Sequence, residues 1–498
     1  MTFINPNDVA SALQSRPSAK VTSALRSSDQ APLLPSGNSR PAAVHGHPLS
    51  SVKKTFGNIV ISIVGAGVLG LPYTFLQSGW LSGCLVLLAV AAACYYTMML
   101  LVQSKRKLEN DGVDGMETYS DLGLFTYGKA GQFAVDLMVV LSQGGFCVAY
   151  LIFIGENLAT VFSSNGDKVD NSASGWVDLS SASRDDGHIY SIGGILSSIG
   201  AAWVGWKGKS VYIWIVFPMQ VLLASIRSLT RLAPFSIFAD VANFSAMAVV
   251  MSADIVVFRE RGISSVDSFT GLGSLPFVIG VAIYSFEGFG LVLPLESNMK
   301  DRSKFGQTLA LAMTCIGLVY TTFACLGYFA FGESTRDIIT LNLGDSWQTT
   351  IIKLALCMGL FFTFPVMMHP VHEVLERRIV GRNSLPVRCI TIVVIAWMAV
   401  AVPHFGDFLS LVGNSVCCIL SFVMPAMVHL HVFSDELMWH DVEAIPVVRV
   451  YTAVFFVLSI ELSIYLSDWT VAYRGVKDTI LIRSVCSEKM ENSLEAPS

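Results

Sequence analysis

Long apolar runs separated by short polar joints organise this chain from about residue 51 onward. A helix that crosses a bilayer needs about 20 mostly apolar residues. Blocks of that kind centre near Val64, Leu88, Val140, Ile215, Ala248, Tyr284, Leu318, Leu360, Val394, Leu420 and Phe456, which predicts about eleven spans. Basic residues gather at alternate joints. Lys53 and Lys54 precede the first block, Lys105, Arg106 and Lys107 follow the second, and Arg227 and Arg231 follow the fourth. Lys300, Arg302 and Lys304 follow the sixth, and Arg377, Arg378 and Arg382 the eighth. All fall on one side of the chain, which the positive-inside rule makes cytosolic. The other joints are poorer in Lys and Arg, apart from Lys207, Lys209, Arg259 and Arg261. The longest, from about Ser163 to Lys209, has the composition of a flexible lumenal or external loop.

Residues 1–50 follow another pattern, rich in Ser, Pro and Ala and without an apolar block, and read as a disordered cytosolic tail. Within it Asp29, Leu33 and Leu34 have the D-x-x-x-L-L spacing of an address read by sorting adaptors. A transmembrane core is expected over 51–435, an eleventh helix over 436–468 and a polar tail over 469–498.

Two of the apolar blocks are interrupted. The stretch "VGAGVLGLPYTF", 64–75, carries Gly65, Gly67, Gly70 and Pro72, and "YSFEGFGLVLPLE", 284–296, carries Gly288, Gly290 and Pro294. Glycines and a proline can also serve helix packing and kinking in membranes. Their recurrence five blocks apart instead points to inverted repeats, because five crossings bring the second copy in from the opposite side. A broken helix in lipid leaves backbone N–H and C=O groups without partners, at several kcal/mol each, unless something polar replaces them. Free N–H groups opening the following half-helix suit a carboxylate, and free C=O groups ending the preceding half suit an ammonium or sodium ion. An amino acid carries both groups side by side.

Composition narrows the class. The 498 residues are 53% hydrophobic and 14% charged. With a mean hydropathy of +0.59, they do not make an ordinary soluble enzyme. A net charge of −5 gives no basis for a nucleic-acid partner. The cysteines, including Cys84, Cys94, Cys147, Cys315, Cys325, Cys357, Cys417 and Cys418, form neither CxxC pairs nor a disulfide ladder, and read as packing residues. No Walker loop is present. His369, His372 and Glu373 have the wrong order for a zinc protease helix, with Pro370 between them, and no metal or cofactor is expected.

Glu287, directly before the second glycine break, is the intramembrane charge that stands out. A carboxylate there costs at least ~2.5 to 3.5 kcal/mol, which marks it as a functional group able to gain and lose a proton. The competing reading is a structural Glu held by broken-helix amides. Asp136, Glu156, Asp240, Asn243 and Asp254 read as interfacial or snorkelling groups. Asn243-Phe244-Ser245 is a glycosylation sequon, but it lies inside the fifth block. Thr363 in the eighth block is a further cation-ligand candidate.

Several separated stretches carry a resemblance. "KKTFGNIVISIVGAGVLGLPYTFLQSGW", "SLTRLAPFSIFADVAN", "AIYSFEGFGLVLPLESNMKD", "LGYFAFGESTRDIITLNL", "FFTFPVMMHPVHEVLERR" and "VPHFGDFLSLVGNSVCCILSFVMPAMVHL" together resemble the amino acid/auxin permease family, over roughly residues 50 to 435. They are most similar to its vacuolar neutral amino-acid transporter branch in plants and fungi, related to proton-coupled amino-acid transporters. The resemblance implies an all-α polytopic membrane protein with a leucine-transporter-like five-plus-five inverted repeat and an eleventh transmembrane helix. It also implies proton-linked movement of neutral amino acids across the vacuolar or lysosomal membrane towards the cytosol. The substrate break of the family's first helix corresponds to Gly65, Ala66, Gly67, Val68 and Leu69, and the matching part of its sixth to Tyr284, Phe286, Glu287 and Gly288. Thr363 falls where relatives of this fold can place a sodium ligand, and the residue leaves protons and sodium both open. From about Arg449 the chain departs from the family's expected final helix and short tail. A sensor using the same binding site and signalling through residues 1–50 shares these features, whereas a membrane enzyme needs a nucleophile or metal cluster that the His369 region does not supply.

Overall fold

The computed structural model describes residues 50–113, 115–162, 208–226, 229–261, 266–344, 347–381, 384–402 and 404–434. The expected dileucine signal (Asp29, Leu33, Leu34), the loop 163–207, Arg227, Arg382, the eleventh helix 436–468 and the polar tail lie outside those residues.

Among the described residues ten helical units follow one another, and they coincide with the first ten apolar blocks. In order they are the pair Val52–Ile63 and Ala66–Ser78, then Trp80–Asn110, Tyr119–Phe162, Lys209–Ala224 and Leu229–Arg261. The second five are the pair Leu275–Ser285 and Phe289–Ser297, then Phe305–Phe331, Trp347–Ile379, Leu385–Ala401 and Phe405–Val432. Each set of five therefore opens on an interrupted helix, and the units are long and apolar enough to cross a membrane except the shorter fourth and ninth. This all-helical, five-plus-five order makes the chain a multi-pass membrane protein.

Packing divides the units. The seventh packs on the second and on both halves of the first, the second packs on the second half of the first, and the first half of the sixth packs on the second and tenth. The eighth packs on the third and fifth, and the fourth on the third and ninth. The tenth winds as π-helix over Gly413–Cys417 and Ile419–Val423. Gly413 meets the sixth unit there so closely that a Cβ would fall 1.8 Å from the Gly280 carbonyl oxygen. π-Helical turns inside α-helices often mark functional segments.

Three of the basic joints form buried networks. Lys105 donates to Glu296 at 3.0 Å, with both side chains 0% exposed, and also to Ser297. Arg106 reaches the other Glu296 oxygen at 3.1 Å, and Arg302 binds Glu109 at 3.0 Å. Ser50 pairs through its backbone with Asn298 and Lys300, which brings the start of the first unit to the same place. Asp136 does not snorkel but is paired inside the protein. It is 3% exposed and accepts hydrogen bonds from Ser120, Arg377 and Arg378. Asp254 is likewise fully buried. Neither was separable from a snorkelling residue in sequence, because the arginine partners of Asp136 are more than 200 residues away.

At the turn between the first and second units Gly79 has φ 89°, and a Cβ there would lie 2.5 Å from the Ser268 carbonyl. Positive φ and close approach together make glycine the residue that fits. Trp80 and Leu81 donate to the Asp267 and Ser268 carbonyls, so the joint before the sixth unit is seated on this turn.

Candidate functional site

The first unit bends by 52° where its helix stops. Val64 and Gly65 are extended, Ala66–Gly70 follow as a 3-10 turn, and the α-helix resumes at Leu71. Pro72 is therefore not the break. It occupies the opening turn of the resumed helix, where a missing N–H costs nothing. The sixth unit stops at Ser285, passes through Phe286, Glu287 and Gly288, and resumes at Phe289.

The two breaks are in contact, and reciprocally so. A Cβ on Gly67 would lie 2.7 Å from Ser285 Oγ and 3.1 Å from Ser285 Cα, at the end of the sixth unit's first half. A Cβ on Gly288 would lie 2.8 Å from Ile63 Cγ1, at the end of the first unit's first half. Each glycine thus admits the terminus of the opposite half-helix. Gly65 faces the Tyr150 hydroxyl of the third unit, 3.7 Å from where its Cβ would be, and Gly290 has open space around it.

Tyr320, at the middle of the seventh unit and fully buried, links the two termini. Its hydroxyl lies 3.3 Å from the Ile63 carbonyl oxygen and 3.4 Å from that of Ser285. A hydroxyl has one proton to donate and each carbonyl has two lone pairs, so the termini keep acceptor capacity for a cation. Tyr284 stacks edge-on to Phe146 at 4.7 Å, and its buried hydroxyl has no hydrogen-bond partner among the described residues. Phe286 is fully buried and packs against the Tyr320 ring at 5.2 Å.

The carboxylate of Glu287 is 7% exposed and accepts from Ser421 Oγ at 2.8 Å and from the Phe289 backbone N–H. It therefore sits on the N-terminus of its own second half-helix, a favourable place for negative charge. Around it stand Cys94 of the second unit, Tyr119 of the third and Cys417 of the tenth. At the first break Gly65 supplies no such side chain, and the amides that open its second half face no acidic cap.

Ala66, Gly67, Val68 and Leu69 line the first break and are all buried. Thr363 stands apart from both breaks in its bonding. Its hydroxyl donates to Gly359 of its own helix at 2.9 Å, and the adjacent Phe364 carbonyl receives Cys147 of the third unit. Among the described residues no group of His, Cys, Asp and Glu is placed to hold a metal ion. Tyr320, Ser285, Tyr150 and Ser421 were missed in sequence. A tyrosine at the middle of an apolar span was the available signal for Tyr320, while Ser421 lies in a π-helical turn with no sequence mark.

Two interrupted spans thus meet inside a bundle of membrane helices. The chain belongs to the family described as "Transmembrane amino acid transporter protein", whose model matches residues 49–467. It is 46% identical to amino acid transporter AVT3C of Arabidopsis thaliana, over 84% of this chain and 92% of the relative. It is 47% identical to amino acid transporter AVT3B of the same plant, over 79% of this chain and 88% of the relative. Amino acid transporter ANT1, also from Arabidopsis thaliana, is 37% identical over 81% and 90%. Among solved structures it is similar to MhsT in complex with L-phenylalanine, with a TM-score of 0.47 and 13% identity over 85% of this chain and 100% of that one.

Proposed function

We propose that this amino-acid transporter carries neutral amino acids together with protons, from the lumen of the vacuole towards the cytosol. The observation that carries this reading is the reciprocal contact of the two breaks, with one hydroxyl shared between their terminal carbonyls. The α-ammonium of the substrate fits the surplus acceptors on Ile63 and Ser285. Its carboxylate fits the amides from Ala66 to Val68, which no acidic side chain caps, while the Gly65 amide is engaged by the Tyr320 hydroxyl. Tyr284 offers a hydroxyl that has no partner until substrate arrives.

Neutral side chains are favoured because the break residues Gly65 to Leu69 and Tyr284 to Gly288 bring one charge, Glu287, and that carboxylate is engaged by Ser421 and Phe289. Proton coupling is assigned to Glu287, because gain of a proton alters its bond to Ser421 of the tenth unit and its hold on the resumed sixth helix at once. An acidic lumen then drives protons and substrate in the same direction. The vacuolar membrane follows from the resemblance to the vacuolar branch of the family.

The test is uptake of labelled alanine by the full chain in vesicles, with a pH gradient imposed in either direction and with or without sodium. Accumulation on the alkaline side, unchanged by sodium, is expected. Uptake that ignores the pH gradient and follows sodium sinks the proton assignment.

A further inference from the structure

The second half of the first unit, Leu71–Ser78, is held between the second and seventh units by glycine contacts. Phe75 lies against Gly83 of the second, where a Cβ would be 2.4 Å from its ring. Pro72 lies against Gly327 of the seventh, where a Cβ would be 2.7 Å from Cγ. Next to these glycines, one and two residues away, stand Cys84 and Cys325, and their sulfur atoms are 3.6 Å apart. A Cβ on Gly317 would touch Ala91 and Leu88 at 3.6 Å, so the two helices run antiparallel in close approach along this register.

Both thiols are half-buried, while Cys94, Cys147, Cys417 and Cys418 are almost completely enclosed. At a rise of about 1.5 Å per residue, Cys84 lies about 6 Å inside the start of its helix at Trp80 and Cys325 about 9 Å inside the end of its helix at Phe331. A small oxidant can reach that depth more readily than the packed core. Thiols that are accessible and adjacent to a second thiol are the ones that oxidise reversibly.

We propose that Cys84 and Cys325 form an oxidisable thiol pair, which hydrogen peroxide converts to a disulfide stapling the second unit to the seventh beside the second half of the first. One thiolate attacks a peroxide oxygen, the O–O bond breaks, and hydroxide leaves a sulfenic acid. The second thiolate attacks that sulfur, the S–S bond forms, and the sulfenic oxygen departs as hydroxide. The two thiol protons convert both hydroxides to water. Two electrons pass from the sulfurs to the peroxide. The staple fixes the two walls that grip Pro72 and Phe75, and on the transport reading given above it slows any movement of Leu71–Ser78 that opens the first break.

The full chain in vesicles is treated with hydrogen peroxide, alkylated, digested without reductant and analysed by mass. A peptide pair joined through Cys84 and Cys325, about 2 Da lighter than the sum of its parts, is expected, and it disappears on reduction. Alanine uptake falls by about fivefold and recovers with dithiothreitol. Cys84→Ser and Cys325→Ser each keep their rate through the treatment. Oxidation confined to other cysteines, or an equal loss of rate in both serine variants, overturns the proposal. Because the cross-link is read by mass alone, failure of the untreated protein to carry alanine counts against the transport reading and not against the thiol pair.

Discussion

Tyr320 holds the carbonyl of Ile63 from the neighbouring seventh unit, 3.3 Å from hydroxyl to oxygen, at the point where the first unit's helix ends. The same hydroxyl lies 3.4 Å from Ser285, so its removal strips two buried termini of their donor. A buried acceptor left without a partner costs about 1 to 3 kcal/mol. Tyr320→Phe is therefore expected to lower the melting temperature of the purified protein and to slow alanine uptake. A variant that melts and transports like the parent shows that water or another group already satisfies those carbonyls.

Tyr284→Phe should behave in the opposite way. The Tyr284 hydroxyl is buried without a partner among the described residues, so its loss removes a desolvated group and keeps the ring against Phe146. Thermal stability is expected to hold or rise by up to about 1 kcal/mol. The KM for alanine is expected to rise by about tenfold, the loss of one hydrogen bond made in the loaded protein. An unchanged KM would mean that the hydroxyl does not meet substrate.

Gly67 and Gly290 make a matched pair. Alanine at 67 drives a methyl to 2.7 Å from Ser285 Oγ and 3.1 Å from its Cα, so the sixth unit must move away from the first. Alanine at 290 meets nothing within 4 Å. Gly67→Ala should lose most uptake while Gly290→Ala keeps it, measured at equal amounts of protein in the membrane. Similar losses at both positions would remove the distinction between the two glycines.

Much of the architecture was legible because lipid imposes it. Twenty-residue apolar blocks have few alternative meanings, and ten of them fall on the ten helical units described. The breaks were legible for the same reason, since paired glycines such as Gly65 and Gly67 recur at Gly288 and Gly290. What sequence cannot carry is which groups meet across hundreds of residues. Glu287 was singled out by its cost in lipid, yet its partner Ser421 lies 134 residues further on, in a turn whose π-helical winding no local preference announces. Asp136 was passed over because a lone acid near a helix end resembles a snorkelling one until Arg377 and Arg378 are brought beside it.

Glu287→Gln tests the coupling assignment directly. Glutamine keeps the shape, its carbonyl oxygen can accept from the Phe289 amide and its NH2 can donate to the Ser421 hydroxyl oxygen, so the fold should survive. It cannot exchange a proton near neutral pH. Uptake driven by a pH gradient is expected to vanish, while exchange of labelled for unlabelled alanine without a gradient persists. Full gradient-driven uptake in this variant would leave Glu287 a structural cap on the sixth helix, as the competing sequence reading has it.

The last test concerns the end of the bundle where the second and sixth units meet. Glu296 is fully buried and receives Lys105 at 3.0 Å and Arg106 at 3.1 Å. Removing one partner of a buried pair strands the other, at about 3 to 5 kcal/mol, whereas replacing both with apolar residues of similar size can be neutral. Arg106 is 35% exposed and can turn to water, but Lys105 is not exposed at all and keeps only Ser297 and a longer 3.6 Å approach to Glu109. Glu296→Leu should therefore reduce the melting temperature sharply, and adding Lys105→Met to it should restore much of the loss. If the double variant melts no higher than the single one, the stranded ammonium is not the source of the damage, and the contacts of Glu296 with Arg106 and Arg302 must carry it instead.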